Sequence, residues 1–159
     1  MRGRLRALSE GERIVLVGGV LLVADLLLLP WHSVDLGGLD IPFDTTRTAV
    51  QSPYPGYGVA ALILTLVMVA QIVIARLLAV RLADVFVPWP LIHLVAGVFV
   101  AVLLVVKLVR ETEFLGYGAY SGVLAALLVA YGGYAISRDA ARSAQVPPPD
   151  AGAGTPQSE

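Results

Sequence analysis

The segment PWPLIHLVAGVFVAVLLVVKL, residues 88–108, decides what kind of protein this is. From Leu94 to Val106 every residue is apolar or glycine, and the two ionisable side chains, His93 and Lys107, stand near its ends. As a helix rising about 1.5 Å per residue it is roughly 30 Å long, the thickness of a bilayer's hydrocarbon core. A membrane-crossing strand would alternate apolar and polar positions; this run is apolar all round, so a helix is the spanning form it fits. Similar runs lie at 14–30, 57–79 and 117–136. The sequence thus predicts an all-α integral membrane four-helix bundle over residues 1–142, with helices at about 14–30, 57–79, 88–108 and 117–136.

Composition agrees. Hydrophobic residues make up 57% of the 159 and charged residues 14%, with a mean hydropathy of +0.80. Soluble domains carry about 25% charged residues. The net charge of −1 argues neither for nucleic acid nor for an acidic partner. No cysteine is present, which excludes disulfides, thiolate metal sites and lipidated cysteines. One lysine stands against ten arginines and there is no asparagine, a bias that points to a GC-rich, bacterial genome. The first apolar run follows a basic segment, as in a signal peptide. It continues Leu29-Pro30-Trp31-His32 without a small-x-small cleavage site, so it is expected to be retained as a helix.

Orientation follows from the arginines. Arg2, Arg4, Arg6 and Arg13 precede the first run, Arg76 and Arg81 lie between the second and third, and Arg138 and Arg142 follow the fourth. In the other two connections, Arg47 is offset by Asp35, Asp40 and Asp44, and Lys107 and Arg110 by Glu111 and Glu113. The positive-inside rule places both termini in the cytoplasm of a multi-pass protein of the bacterial plasma membrane. Aromatic residues, which favour interfaces, concur: Trp31, Tyr54, Tyr57, Tyr117 and Tyr120 fall at the outer boundary, and Phe86, Trp89, Tyr131 and Tyr134 at or near the inner one. Residues 31–56 form one longer extracytoplasmic loop, with turns at Gly37-Gly38, Pro42 and Pro53-Tyr54-Pro55 and a short helix expected to start at Asp44. Residues 143–159, with Pro147-Pro148-Pro149, read as a disordered cytoplasmic tail.

An ionisable side chain near the bilayer centre costs at least about 2.5–3.5 kcal/mol, so each is a candidate for function. Asp25 lies in the outer half of the first helix and Lys107 near the outer end of the third; an ion pair between them is expected if those helices are neighbours. The bland reading for Lys107 is snorkelling to the outer surface. Gln71 and His93 lie in the inner half and are expected to hydrogen-bond. His93 reads as a packing residue rather than a haem or metal ligand, because His32, the only other histidine, sits at the opposite interface. His32, Asp35, Asp40 and Asp44 lack metal-ligand spacing and read as a solvated loop. No metal and no cofactor are expected.

Small residues mark helix contacts in membranes, where close backbone approach supplies the attraction. Gly18 shares a face with Asp25, and His93, Gly97, Val100, Leu104 and Lys107 share another. Gly118, Gly122, Ala125, Val129 and Gly132 form a stripe on the fourth helix. These faces are expected to meet other helices, within the monomer or in an oligomer.

The strings Leu29-Pro30-Trp31-His32, Asp44-Thr45-Thr46-Arg47-Thr48 and Gln51-Ser52-Pro53 resemble the first extracytoplasmic loop of small uncharacterised four-helix membrane proteins of actinobacteria. Val87-Pro88-Trp89 and Phe114-Leu115-Gly116-Tyr117-Gly118-Ala119-Tyr120 are similar to their later part, so the resemblance spans roughly residues 10–137. It implies the four-helix fold and no assigned activity. No phosphate loop, serine elbow or zinc-binding histidine pair is present. The expectation is a non-enzymatic accessory or scaffold component of the cell envelope, whose partners are the lipid bilayer and either copies of itself or other membrane proteins. The alternative is a small proton-coupled transporter acting as a dimer. Four-helix multidrug exporters share its helix number and an acid in the first helix, but have a different sequence around that acid and lack the long loop.

Overall fold

The computed structural model describes residues 8–33, 46–51, 54–78, 87–112 and 114–145, the side chain of Leu77 excepted. Among these residues are four α-helices: α1 (Glu10–Leu28), α2 (Pro55–Ile72), α3 (Trp89–Arg110) and α4 (Tyr117–Gln145). Three of them, taking α2 through Arg76, are long and apolar enough to cross a membrane. The exception is α1, which carries Glu10, Glu12, Arg13 and Asp25.

Each helix boundary has a local cause. Ser9 caps α1: its Oγ accepts from the Glu12 N–H at 3.2 Å, and the Glu12 carboxylate accepts from the Ser9 N–H at 2.9 Å. This reciprocal box starts the helix at Glu10, four residues before the expected boundary. The chain leaves the helix at Leu29, just ahead of Pro30. Pro55 opens α2, where its missing N–H costs nothing. Past Ile72 the helix widens into a π-turn, Val73–Leu77, instead of running on as α-helix to 79. The fourth helix runs nine residues beyond the expected end at 136 and takes in Ser143 to Gln145. Residues 137–145 are rich in alanine and arginine, good helix formers, and nothing stops them before Pro147.

The helices form a ring in which α1 packs on α2 and α4, and α3 packs on α2 and α4. The closest faces, α1 on α4 and α3 on α4, are those rich in glycine. A Cβ on Gly132 would lie 2.9 Å from the Val15 nitrogen; one on Gly133 would lie 2.5 Å from the His93 carbonyl; one on Gly97 would lie 3.0 Å from the Ala130 Cα. Gly18 packs on Leu128 and Val129, and Gly118 on Leu29 and Pro30. The buried core runs along the axis through Val15, Leu22, Met68, Val100, Leu104 and Val129. The outside is apolar too: Val17, Leu21, Ile63, Val67, Val98, Phe99, Val102, Leu124 and Leu127 are all exposed.

The outer connection is not wholly irregular. His32–Ser33 (β1) and Thr46–Arg47 (β2) pair antiparallel, so Thr46 and Arg47 are strand rather than the start of a helix. The ladder bonds the backbone groups that a helix at Asp44 would have used. Asp44 itself lies outside the described residues. So do Arg2, Arg4, Arg6, Asp35, Gly37, Gly38, Asp40, Pro42, Pro53, Arg81, Phe86, Glu113 and the tail from residue 146.

Candidate functional site: a buried polar network beneath the outer cap

Once past Pro30 the chain lies across the end of the bundle formed by the C-termini of α1 and α3, and is held on both edges. Trp31 N–H donates to the Arg47 carbonyl at 2.8 Å, and β1 pairs with β2. On its other side Ser33 N–H donates to the Phe114 carbonyl at 2.9 Å and Gly116 N–H to the Trp31 carbonyl at 2.8 Å, with His32 bridged to Leu115. Three separate stretches thus form one small hydrogen-bonded cap.

From this cap the Trp31 side chain drops into the bundle and is fully buried. It is not an exposed ring as Tyr54, Tyr117 and Tyr120 are, the other aromatics expected at that boundary. The indole Nε1–H donates to Asp25 Oδ1 at 2.9 Å. The hydroxyl of Ser121 donates to the other carboxylate oxygen. Gly122 makes room for both partners: a Cβ there would lie 2.6 Å from Asp25 Oδ1 and press on the indole ring.

On the far side of the indole stands Lys107, with Nζ 5.9 Å from the ring centroid, inside cation–π range. Its side chain is 0% exposed, so it does not snorkel. The ammonium donates to both carboxylate oxygens of Glu111 at 3.0 Å, one turn along α3, and approaches the Tyr54 carbonyl at 3.5 Å. Tyr54 offers that carbonyl from a left-handed backbone, φ 45°, a conformation that costs a non-glycine residue about 1–3 kcal/mol. His32 completes the group: its Nε2 comes to 2.5 Å from Glu111 Oε2, off the axis of a hydrogen bond.

The expected Asp25–Lys107 ion pair is therefore replaced by a longer chain: Ser121, Asp25, Trp31, Lys107, Glu111, His32. The reason is topological. Helices α1 and α3 stand across the diagonal of the ring, and the indole fills the space between them. Glu111, the C-cap residue of the helix that carries Lys107, is the nearer anion. Sequence reasoning missed Glu111 as a buried partner, although Lys107 and Glu111 are four apart and share a helix face. It also treated His32 as a solvated loop residue, whereas His32 is buried. Nothing in the spacing of Asp25 and Trp31, separated by a proline, signals their bond.

At the opposite end of the bundle the expected Gln71–His93 hydrogen bond is not formed. His93 Nδ1 lies 3.0 Å from the Trp89 carbonyl one turn back on its own helix, and Nε2 has no hydrogen-bond partner among the described residues. Gln71 and His93 instead border a common cavity of about 220 Å³, with Glu12, Arg76 and Trp89 also in its wall. Arg76, on the π-turn, donates from Nε to Glu12 Oε1 at 2.7 Å and ties α1 to α2.

The outer network is suited to hold the cap at a fixed depth. Asp25 accepts from donors on two other segments and Glu111 from Lys107 one turn back, and burying such groups is tolerable only when they are so matched. Chemically it offers hydrogen-bond acceptors at Asp25 and a cation, Lys107, already engaged by Glu111. No protein-family model, curated protein or solved structure matches this chain.

Proposed function

We propose that the chain is a four-crossing protein of the bacterial plasma membrane, with both termini in the cytoplasm, acting as a non-enzymatic accessory or scaffold component of the cell envelope. The observation that carries this reading is the commitment of the buried outer ionisable groups to the cap. Asp25 holds Trp31, Lys107 and Glu111 hold one another beside it, and His32 closes on Glu111. A protein that uses its costly intramembrane charges to fix an external surface is built to present that surface.

The fourth crossing is supported by how α1 disposes of its charges. Asp25 faces inward, while Val17, Val20, Leu21, Ala24, Leu27 and Leu28 face out. Glu10, Glu12 and Arg13 crowd its first turn, where an interface accommodates them. At about 1.5 Å per residue its 19 residues span about 28 Å. The inside orientation rests on the arginine distribution.

Two measurements test the proposal. A single cysteine at Ser33 is expected to react with an impermeant reagent in intact cells, and one at Ser143 is not; the reverse pattern would overturn the orientation. Purification from the native membrane in mild detergent is expected to yield a discrete complex with other envelope proteins. The second reading, a small proton-coupled transporter acting as a dimer, draws on Asp25 lying beside a lipid-facing groove. A lone dimer with proton-dependent substrate binding would favour it.

A further inference from the structure

Two buried ring nitrogens have no hydrogen-bond partner among the described residues, His32 Nε2 and His93 Nε2. The first lies against Glu111 in the cap. The second belongs to a residue that is 3% exposed and lines the cavity at the opposite end of the bundle. Its chemistry is set by the other ring nitrogen. A backbone carbonyl only accepts, so the 3.0 Å contact with the Trp89 carbonyl places the proton of the neutral imidazole on Nδ1. Nε2 is then a bare lone pair that calls for a donor.

The surroundings narrow what that donor is. The cavity of about 220 Å³ takes residues from all four helices, and Ala75 and Arg76 in its wall belong to the π-turn, a feature that recurs at functional sites. A water molecule accounts for about 30 Å³ of liquid, so one water on Nε2 would leave most of the space unfilled. Ile72, Pro90 and Ile136 also line it and favour an apolar body there. The charges in the wall, Glu12 and Arg76, are paired with each other and ask for no charge on a ligand. Arg76, with its side chain 59% exposed, marks the mouth, at the end where α1 and α3 begin. We infer that the cavity binds a small, uncharged aromatic hydroxyl compound of the phenol class. Its O–H donates to His93 Nε2, and its oxygen is open to the Gln71 amide, which borders the same space. Its ring packs on the apolar walls beside Trp89, where aromatic pairs gain beyond simple burial. The site lies away from the cap and stands whether or not the cap presents a surface.

The test uses the full chain in a nonionic detergent, labelled with ¹⁵N at its two histidines. The probes are 4-fluorophenol and 4-fluoroanisole, in which a methyl group replaces the hydroxyl hydrogen, compared at equal free concentration. The phenol is expected to shift the His93 Nε2 resonance saturably and to leave the His32 resonances in place. The anisole is expected to bind at least tenfold more weakly. Ala75→Leu, which fills the cavity from its wall, is expected to weaken phenol binding at least tenfold with the His93 tautomer unchanged. In His93→Phe, followed by the ¹⁹F signal of the probe, the preference for the phenol is expected to disappear. Equal binding of the two probes, or an unaltered preference in His93→Phe, would overturn the site. So would a His93 ring protonated at Nε2, or the lack of a saturable shift with either probe, which would leave the cavity to water. If His93→Phe does not fold, the probe pair and Ala75→Leu decide the question without it.

Discussion

Replacing Gly122 by alanine tests whether the tryptophan cradle holds the outer cap. The new Cβ would stand 2.6 Å from Asp25 Oδ1 and closer still to the indole, and neither neighbour has room to retreat: Trp31 is fully buried and Asp25 is bonded on both oxygens. Overpacking of this kind costs about 1–3 kcal/mol. If the indole shifts, its hydrogen bond to the carboxylate goes as well, a further loss of about 1.5–3 kcal/mol for a charged acceptor. Against this, alanine in a helix interior gains about 0.5–1 kcal/mol over glycine. The net expectation is a destabilisation of about 0–2.5 kcal/mol if the ring stays in place and about 1.5–5.5 kcal/mol if it shifts. Gly56→Ala is the control, because a Cβ there meets nothing within 4 Å; it is expected to be neutral or slightly stabilising. The assay is thermal unfolding in detergent, followed by the emission of Trp31 in a Trp89→Phe background, which removes the only other tryptophan. Gly122→Ala is expected to lower the midpoint and red-shift the native emission. Equal midpoints for Gly122→Ala and Gly56→Ala would refute the cradle.

Lys107→Gln and Glu111→Gln are each expected to destabilise by about 3–5 kcal/mol, since each leaves a buried charge without its partner, and the double variant to lose less than the sum. Asp25→Asn with Lys107→Gln is expected to couple less strongly than Lys107→Gln with Glu111→Gln, and any coupling is expected to vanish in a Trp31→Phe background; coupling that survives there would restore a direct pair. Trp31→Phe is expected to cost about 1–3 kcal/mol through the unsatisfied Asp25 oxygen, and to cost less in an Asp25→Leu background. Arg76→Gln is expected to change stability by at most about 1 kcal/mol, because the Arg76 side chain is 59% exposed although its bond to Glu12 is short. A larger loss in thermal melts would refute a solvent-screened pair.

The glycine positions show how unevenly sequence and structure divide the information. The stripe on α4 is readable as a contact face because helical spacing alone puts Gly118, Gly122 and Gly132 on one side. What they contact is not readable: Gly118 receives Leu29 and Pro30, Gly122 receives a tryptophan and a carboxylate, and Gly132 receives the backbone at Val15. Gly133 is equally close-packed and falls outside the stripe as read, since a face is wider than a single line of residues, and Gly11 on α1 meets the backbone of Gly132 and Ile136 from the other side. The Ser9–Glu12 capping box was also present in the sequence as Ser-x-x-Glu, masked by weight given to the apolar run that follows it.

By itself the sequence determined the helical class, the approximate place of each helix and the faces that turn inward, because these depend on local apolar length and on a helical period that needs no partner. Only the tertiary structure decided which buried polar groups meet. Asp25 and Lys107 share a depth, and depth is what a sequence can supply; whether two residues at one depth touch depends on which helices are adjacent and on what fills the gap. Here α1 and α3 lie across the diagonal, and Trp31, brought in by a cap stitched from three distant segments, stands between them. Its indole bonds one and stacks on the other, and that arrangement exists only once the whole ring of helices has closed.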